Sequence, residues 1–169
     1  PSLADRGARD GVGGRYGEMH ERGELSTLGE QTVPVASWLA ECWRRIEGQP
    51  VSALVMDRFK QAELGEAIDR AGIRAPLVWR GMGFRDGGED CDRFRRACFD
   101  GRVRSAPSLL LRSALADAVT LRDPANNLKL AKARSLGRID AAAATVLAVA
   151  QGARQTSRGK SKGGRLVFG

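Results

Sequence analysis

Two aspartates occupy positions where a carboxylate can do metal chemistry. The first, Asp57, directly follows the apolar run of residues 51–56, which is typical of a buried strand between helix breakers. Because ligands gather at strand ends in open sheets, and carboxylate oxygens bind hard divalent cations, Asp57 is a candidate metal ligand. Its side chain could instead cap the helix that follows, and its position alone favours that structural role.

The second aspartate, Asp140, lies in the first turn of an alanine-rich helix predicted over residues 139–152. A carboxylate in a first turn is stabilised by the helix dipole, so this position by itself favours a purely structural residue. The functional interpretation is a second metal ligand that faces Asp57 across a sheet. On the residues alone, both interpretations stay open for each aspartate.

The sequence lacks the residues that other hydrolytic mechanisms and nucleotide-binding motifs require. His20 is the only histidine, so a Ser-His-Asp triad would need it, and no serine lies in a G-x-S-x-G turn. Gly159-Lys-Ser161 resembles the end of a Walker A motif, but Arg154 stands where that motif needs glycine. The cysteines lack C-x-x-C spacing and are expected to be reduced thiols: Cys42, Cys91 and Cys98. If the chain is a hydrolase, metals held by carboxylates are the economical mechanism.

Charge favours a polyanionic partner. The 28 lysines and arginines outnumber the 20 acidic residues, for a formal net charge of +8. Nucleic acid is the commonest partner of such a protein. No apolar run approaches the ~20 residues that cross a bilayer, and the first residues carry no apolar signal segment. A membrane protein is therefore not expected.

The elements that must position the two aspartates follow from periodicity and breakers. The 169 residues suffice for one domain. Before Gly81, the pattern predicts helices over residues 15–23, 33–47 and 58–71 and strands over residues 51–56 and 75–79. Strand, helix and strand with short connections indicate a parallel sheet. Residues 1–14, rich in glycine and charge, are predicted to be a loop or a frayed end.

The second half continues the alternation. After a loop over residues 81–88, it predicts helices over residues 90–99, 108–118 and 139–152, a short strand over 102–104 and a hairpin over 119–121 and 128–130. The acidic cluster Asp86, Glu89, Asp90 and Asp92 is interpreted as a solvated helix start, because it lacks the spacing of a calcium loop. Residues 1–152 are thus predicted as one domain, and residues 153–169 as a flexible basic tail.

Several segments, in order, resemble the nuclease domain of the large terminase subunits of tailed double-stranded DNA phages. They are Arg15-Tyr-Gly-Glu-Met-His-Glu-Arg-Gly-Glu-Leu25, Val55-Met-Asp57-Arg-Phe59, Gly83-Phe84, Asn126-Asn-Leu-Lys-Leu-Ala-Lys132 and Gly137-Arg-Ile-Asp-Ala-Ala-Ala-Ala144. The last pair is the most similar to the family's closing signature. The resemblance runs from about residue 16 to residue 151.

This resemblance implies an RNase H-like α/β fold, with a mixed sheet flanked by helices. It implies an endonuclease that hydrolyses phosphodiester bonds of concatemeric double-stranded DNA with two Mg²⁺ or Mn²⁺ ions. Asp57 and Asp140 match the second and third acidic positions of the family. The first acid belongs to an opening strand that this sequence lacks, so the domain is expected to be N-terminally truncated and weakly active or inactive.

The family also implies partners and a place of action. These are double-stranded DNA, the terminase small subunit and the portal, in the cytoplasm of a bacterial host of a phage or prophage. Basic side chains are expected to contact DNA phosphates near the site, although ordinary solvated cations are an equal interpretation of each. The candidates are Arg102, Arg104, Lys129, Lys132, Arg134 and Arg138.

Two alternatives remain on the sequence. The missing acid supports a non-catalytic RNase H-like domain that binds DNA or a packaging partner. A resolvase or transposase core would share the fold, but the Gly-Arg-Ile-Asp-Ala signature of residues 137–141 argues against it.

Overall fold

A computed structural model describes residues 2–27, 32–158 and 167–168. In chain order, the helices and strands are α1 (Leu3–Arg9), α2 (Arg15–Glu21), α3 (Val35–Arg45), β1 (Leu54–Asp57), α4 (Gln61–Arg70), β2 (Leu77–Arg80), α5 (Phe84–Phe99), β3 (Arg104–Ser105), α6 (Leu109–Ala116), β4 (Thr120–Arg122), β5 (Leu128–Leu130), α7 (Asp140–Arg158) and β6 (Val167–Phe168), with 3-10 turns at Arg58–Lys60 and Lys132–Arg134.

The chain divides into two compact units. The first unit comprises residues 1–25 and 82–169, and the second unit comprises residues 26–81. Among the described residues, the strands form three two-stranded sheets: β1 pairs with β2 and β3 with β6 in parallel, whereas β4 and β5 are antiparallel. The alternation of helices and strands confirms the predicted α/β class.

The second unit contains the predicted strand, helix and strand. β1 and β2 pair in parallel with Asp57 opposite Arg80, as a right-handed crossover through α4 allows. Its core is formed by Leu39 of α3, Ala67 and Ile68 of α4, and Ile73. The amphipathic patterns predicted the burial of Leu39 and Ile68 correctly. Phe59, which the pattern of residues 58–71 also placed on the inward face, is instead 87% exposed, and Trp38 on the apolar face of α3 is 42% exposed.

The first unit is organised around α7. This helix packs on α5 and α6, and α5 also packs on β5. The buried face of α7 includes Ala142, Val146, Val149 and Ala150. Small side chains on this face let the neighbouring helices approach closely. The hairpin of β4 and β5 turns at Asn126, whose φ of 66° is left-handed, a conformation that asparagine tolerates.

Three sequence predictions are corrected in the first unit. Residues 3–9 form α1 rather than a loop, because Ser2 and Asp5 make a reciprocal capping box. Helix α5 begins at Phe84 rather than at residue 90. The glycines that suggested a loop are packing positions, since a Cβ at Gly87 would lie 3.2 Å from the Met82 carbonyl oxygen.

The third correction concerns the last helix. α7 continues to Arg158 instead of ending at residue 152, because Arg154 forms ion pairs with Glu89 and Asp90 of α5. Of the predicted flexible tail, residues 159–166 and 169 lie outside the described residues. The boundary of the predicted domain at residue 152 stays a prediction. No helix in the described part of the chain is both long and apolar enough to cross a membrane.

Candidate functional site

Asp57 closes strand β1 in the second unit. Its side chain is half-buried, and its Oδ1 accepts a hydrogen bond of 3.1 Å from the backbone N–H of Phe59. It thereby caps the 3-10 turn Arg58–Lys60. The capping interpretation of Asp57 is confirmed, and the hydrogen bond engages one of the two carboxylate oxygens. A role as a metal ligand stays a prediction.

Asp140 opens helix α7 in the first unit. Its side chain is 67% exposed, and its Oδ1 accepts a bond of 2.6 Å from the ammonium group of Lys132. Lys132 begins the 3-10 turn that follows β5. The sequence predicted Lys132 as a DNA contact. In the structure, its ammonium group forms an ion pair with Asp140, the candidate metal ligand.

Asp140 lies at the edge of a cleft of about 400 Å³ within the first unit. Its polar lining includes Asp140, Arg138, Asp117 and Arg6, and its apolar lining consists of Leu3, Val12, Tyr16, Met19, Leu25, Leu110 and Ala114. The cleft is therefore lined by both charged and apolar side chains.

A polar network fixes the wall of this cleft. Asp10, whose side chain is 12% exposed, accepts bonds of 3.0 Å from the Tyr16 hydroxyl and from Arg138 Nε. Burial raises the pKa of the Asp10 carboxyl, but these two hydrogen bonds outweigh burial and hold the pKa below its ordinary value of 3.8. Burial and the bond to Asp10 raise the pKa of Tyr16. Asp10 thus orients Arg138, two residues before Asp140.

We expect Asp10→Asn to weaken the dependence of the free energy of unfolding on pH in the acid range. A carboxyl with a lowered folded pKa stabilises the fold above its unfolded pKa, and this contribution is lost as the pH falls through the folded pKa. The variant should be less stable than the parent at neutral pH, with a shallower decline below about pH 4. Urea unfolding at a series of pH values measures this. Tyr16→Phe, which removes one donor, should give an intermediate slope, whereas an unchanged slope in Asp10→Asn would contradict the assignment.

A second network lies on the same cleft. Arg15 NH1 donates to Ser113 Oγ at 2.5 Å and to Asp117 Oδ2 at 2.8 Å. Gly137, with φ of 61°, passes close to it: a Cβ there would lie 2.7 Å from Val12 Cγ1. The loop that precedes Arg138 and Asp140 therefore requires glycine at position 137.

The predicted DNA contacts all lie in the first unit, and the structure gives several of them protein partners. Arg102 pairs with Asp100 at 2.8 Å, and the Lys129 ammonium lies 4.4 Å from the centre of the Phe84 ring. Arg104 and Arg134 are exposed. Exposed pairs of this kind contribute little to stability, so DNA phosphates can compete for the cations. Contact of any of them with DNA stays a prediction.

Sequence reasoning missed Asp10 as the partner of Arg138, and Tyr16 and Asp117 as residues that line the same cleft as Asp140. Asp10 is the C-terminal cap of α1. It is separated from Arg138 by 128 positions. No local pattern marks such a contact, because it depends on how α1 and the loop before α7 pack.

The donor chemistry of the candidate acids fits hard cations, but the described residues do not contain a full ligand set. Asp57 and Asp140 each offer an oxygen ligand of the type that Mg²⁺ and Mn²⁺ prefer. They belong to different units. In the described parts of the chain, no group of three or more His, Cys, Asp or Glu side chains is arranged to hold a metal.

Comparison with known proteins adds independent findings. Residues 20–156 match the model of the family described as terminase large subunit, endonuclease domain. The chain is 30% identical over 134 residues to the terminase large subunit of Enterobacteria phage HK97, covering 79% of this chain and 27% of that protein. It also resembles the crystal structure of the HK97 bacteriophage large terminase, with a TM-score of 0.80, 28% identity, and coverage of 88% of this chain and 31% of that chain.

These findings bear on the fold and on the extent of the match. The likeness to the solved structure confirms the predicted RNase H-like α/β fold. The chain spans about a quarter to a third of the length of these relatives. Both candidate acids lie inside the matched range of residues 20–156.

Proposed function

Because the chain belongs to the endonuclease-domain family of terminase large subunits, we propose that it is a metal-dependent endonuclease domain that cuts concatemeric double-stranded DNA during phage packaging. The observation that carries the proposal is the placement of two aspartates within the family match, one closing a parallel strand and the other opening α7. These are positions where a carboxylate can reach a bound cation and solvent.

Asp57 and Asp140 would hold Mg²⁺ or Mn²⁺. Two bound ions would supply charge stabilisation and an activated water for phosphodiester hydrolysis. One basic side chain of the domain binds the Asp140 carboxylate, and another is held two residues before it. Lys132 lies 2.6 Å from Asp140 Oδ1 and offsets its charge in the free protein. Arg138 is hydrogen-bonded to Asp10 at 3.0 Å and lies two residues before the N-terminus of α7.

Phosphate contacts would come from the basic side chains of the first unit. Arg104 and Arg134 are exposed and are candidates for this contact. We propose that the domain works in the cytoplasm of the bacterial host with the terminase small subunit and the portal as partners. These partners follow from the family, and the net charge of +8 supports the DNA contact.

Plasmid cleavage tests the proposal. With Mg²⁺ or Mn²⁺, the parent should nick or linearise supercoiled plasmid, and Asp57→Ala and Asp140→Ala should each be at least roughly 100-fold slower, because charge stabilisation by bound metal contributes several kcal/mol. Matched controls remove an exposed carboxylate from a helix of the same unit. They are Asp69→Ala in the second unit and Asp92→Ala in the first unit, and both should cleave like the parent.

A non-catalytic DNA-binding domain is the second candidate. The absence of a three-residue ligand group among the described residues favours it. It predicts that parent, Asp57→Ala and Asp140→Ala are equally silent on plasmid but shift DNA equally in chelator. Cleavage that persists unchanged in both alanine variants would reject the assignment of the two acids.

A further inference from the structure

An exposed aromatic ring lies beside the first candidate acid. Phe59 is 87% exposed, the largest exposure among the large hydrophobic side chains of the described residues. A phenyl ring in water is unfavourable, and scattered exposed apolar residues are ordinary on protein surfaces. Phe59 differs from a scattered residue in its position, because it follows Asp57 by two residues on the same turn.

The backbone of Phe59 is fixed to the Asp57 carboxylate. Its N–H donates to Asp57 Oδ1 at 3.1 Å, within the 3-10 turn Arg58–Lys60 that follows β1. The backbone that carries the ring is therefore held at a defined place relative to Asp57. Such preorganisation is typical of residues that position a ligand.

Charge indicates which ligand the ring would meet. Phe59 stands between Arg58 and Lys60, and both basic side chains are exposed. Lys60 pairs with Glu63 at 2.9 Å, with both side chains more than half exposed, so phosphate can compete for it. Aromatic rings beside cations are the surfaces on which the unpaired bases of a single strand stack while the cations contact the backbone. Cores of protein interfaces are instead depleted of lysine.

We propose that Phe59 is a base-stacking residue that positions DNA at Asp57. The ring packs on an unpaired base next to the phosphodiester, and Arg58 and Lys60 contact the adjoining phosphates. The position of the contact in the reaction rests on the proposed nuclease function. The stacking itself does not need cleavage and is measured without it.

DNA binding in chelator tests the proposal, with a fluorescein-labelled synthetic duplex that carries a single-stranded overhang as the probe, because unpaired bases offer a free face to the ring. Phe59→Ala should weaken binding roughly 5- to 150-fold, the range expected for the loss of one stacked base. The matched control is Phe99→Ala, which removes a ring that is 82% exposed and also lies near an arginine, Arg95. Its affinity should stay within roughly 2-fold of the parent.

Tryptophan variants supply a second readout. Phe59→Trp should retain the parent affinity, and DNA should quench its indole emission beyond the quenching seen in the parent and in Phe99→Trp. Equal affinities of Phe59→Ala and Phe99→Ala, or no extra quenching of Phe59→Trp, would overturn the proposal.

The nuclease proposal fails separately, on the cleavage rates of Asp57→Ala and Asp140→Ala. Stacking with no loss of cleavage in those two variants would leave Phe59 as a DNA-binding residue. Loss of cleavage in both without any effect of Phe59→Ala on binding would reject the stacking contact alone.

Discussion

Asp90→Ala is expected to lower the free energy of unfolding of the first unit by about 3–5 kcal/mol, the usual effect of removing one partner of a buried ion pair. Asp90 of α5 is 0% exposed, and its carboxylate pairs with Arg154 of α7, whose side chain is 11% exposed. The variant would leave the Arg154 guanidinium buried without the Asp90 carboxylate, while the Glu89 carboxylate lies 3.5 Å from it. The pair joins the helix that carries Asp140 to α5.

Urea unfolding followed by circular dichroism measures this loss. The three tryptophans, Trp38, Trp43 and Trp79, all belong to the second unit, so their fluorescence reports that unit by itself. The matched control is Asp92→Ala on the same helix, where an exposed pair with Arg96 is lost. Its effect should stay below about 1 kcal/mol. Equal destabilisation by the two substitutions would show that the buried Asp90 pair contributes no more to stability than an exposed pair does.

Gly7→Ala is expected to destabilise the first unit by about 1–3 kcal/mol or more, because the new methyl group has no room. A Cβ at Gly7 would overlap the carbonyl oxygen of Gly13 and lie 3.1 Å from its carbon. The Gly7 carbonyl also accepts the N–H groups of Val12, at 2.8 Å, and Gly13, at 3.2 Å. The loop therefore cannot move away without breaking these bonds.

The effect should extend to the candidate site. The displaced loop carries Asp10, which anchors Arg138 at 3.0 Å. Gly17→Ala is the matched control with the opposite expected sign. Gly17 lies inside α2 and has no atom within 4 Å of its Cβ position, so alanine should stabilise the helix by about 0.5–1 kcal/mol. Thermal unfolding of the two variants compares them, and destabilisation by both would contradict the packing argument.

The sequence by itself determined the elements whose cause is local. Apolar residues at helical spacing predicted α3 and α4 with their buried Leu39 and Ile68, and a short apolar run between breakers predicted β1 with Asp57 at its end. The capping role of Asp57 was also readable, since it depends on the backbone two residues ahead. Periodicity and capping act within a few residues, so a sequence window contains the whole cause.

Only the tertiary structure decided the partners of the polar residues. Asp90 belongs to an acidic cluster that the sequence placed in solvent, yet it is buried against Arg154, 64 positions away. Gly87 and Gly88 looked like loop residues, but they are helical positions, and a Cβ at Gly88 would lie 3.2 Å from Asn127 Cβ. Likewise, Phe59 has an apolar side chain that fits the inward face of a predicted helix, yet it is 87% exposed in the structure.

The physical reason is the same in each case. Burial, ion pairing and close approach depend on which surfaces meet, and residues far apart in the chain supply those surfaces. The local pattern of α5 allowed Asp90 either in water or in the core, and packing against α7 selected the core. The sequence therefore determined where the candidate acids lie along the chain, and tertiary packing determined that Asp10 binds Arg138 and that Lys132 binds Asp140.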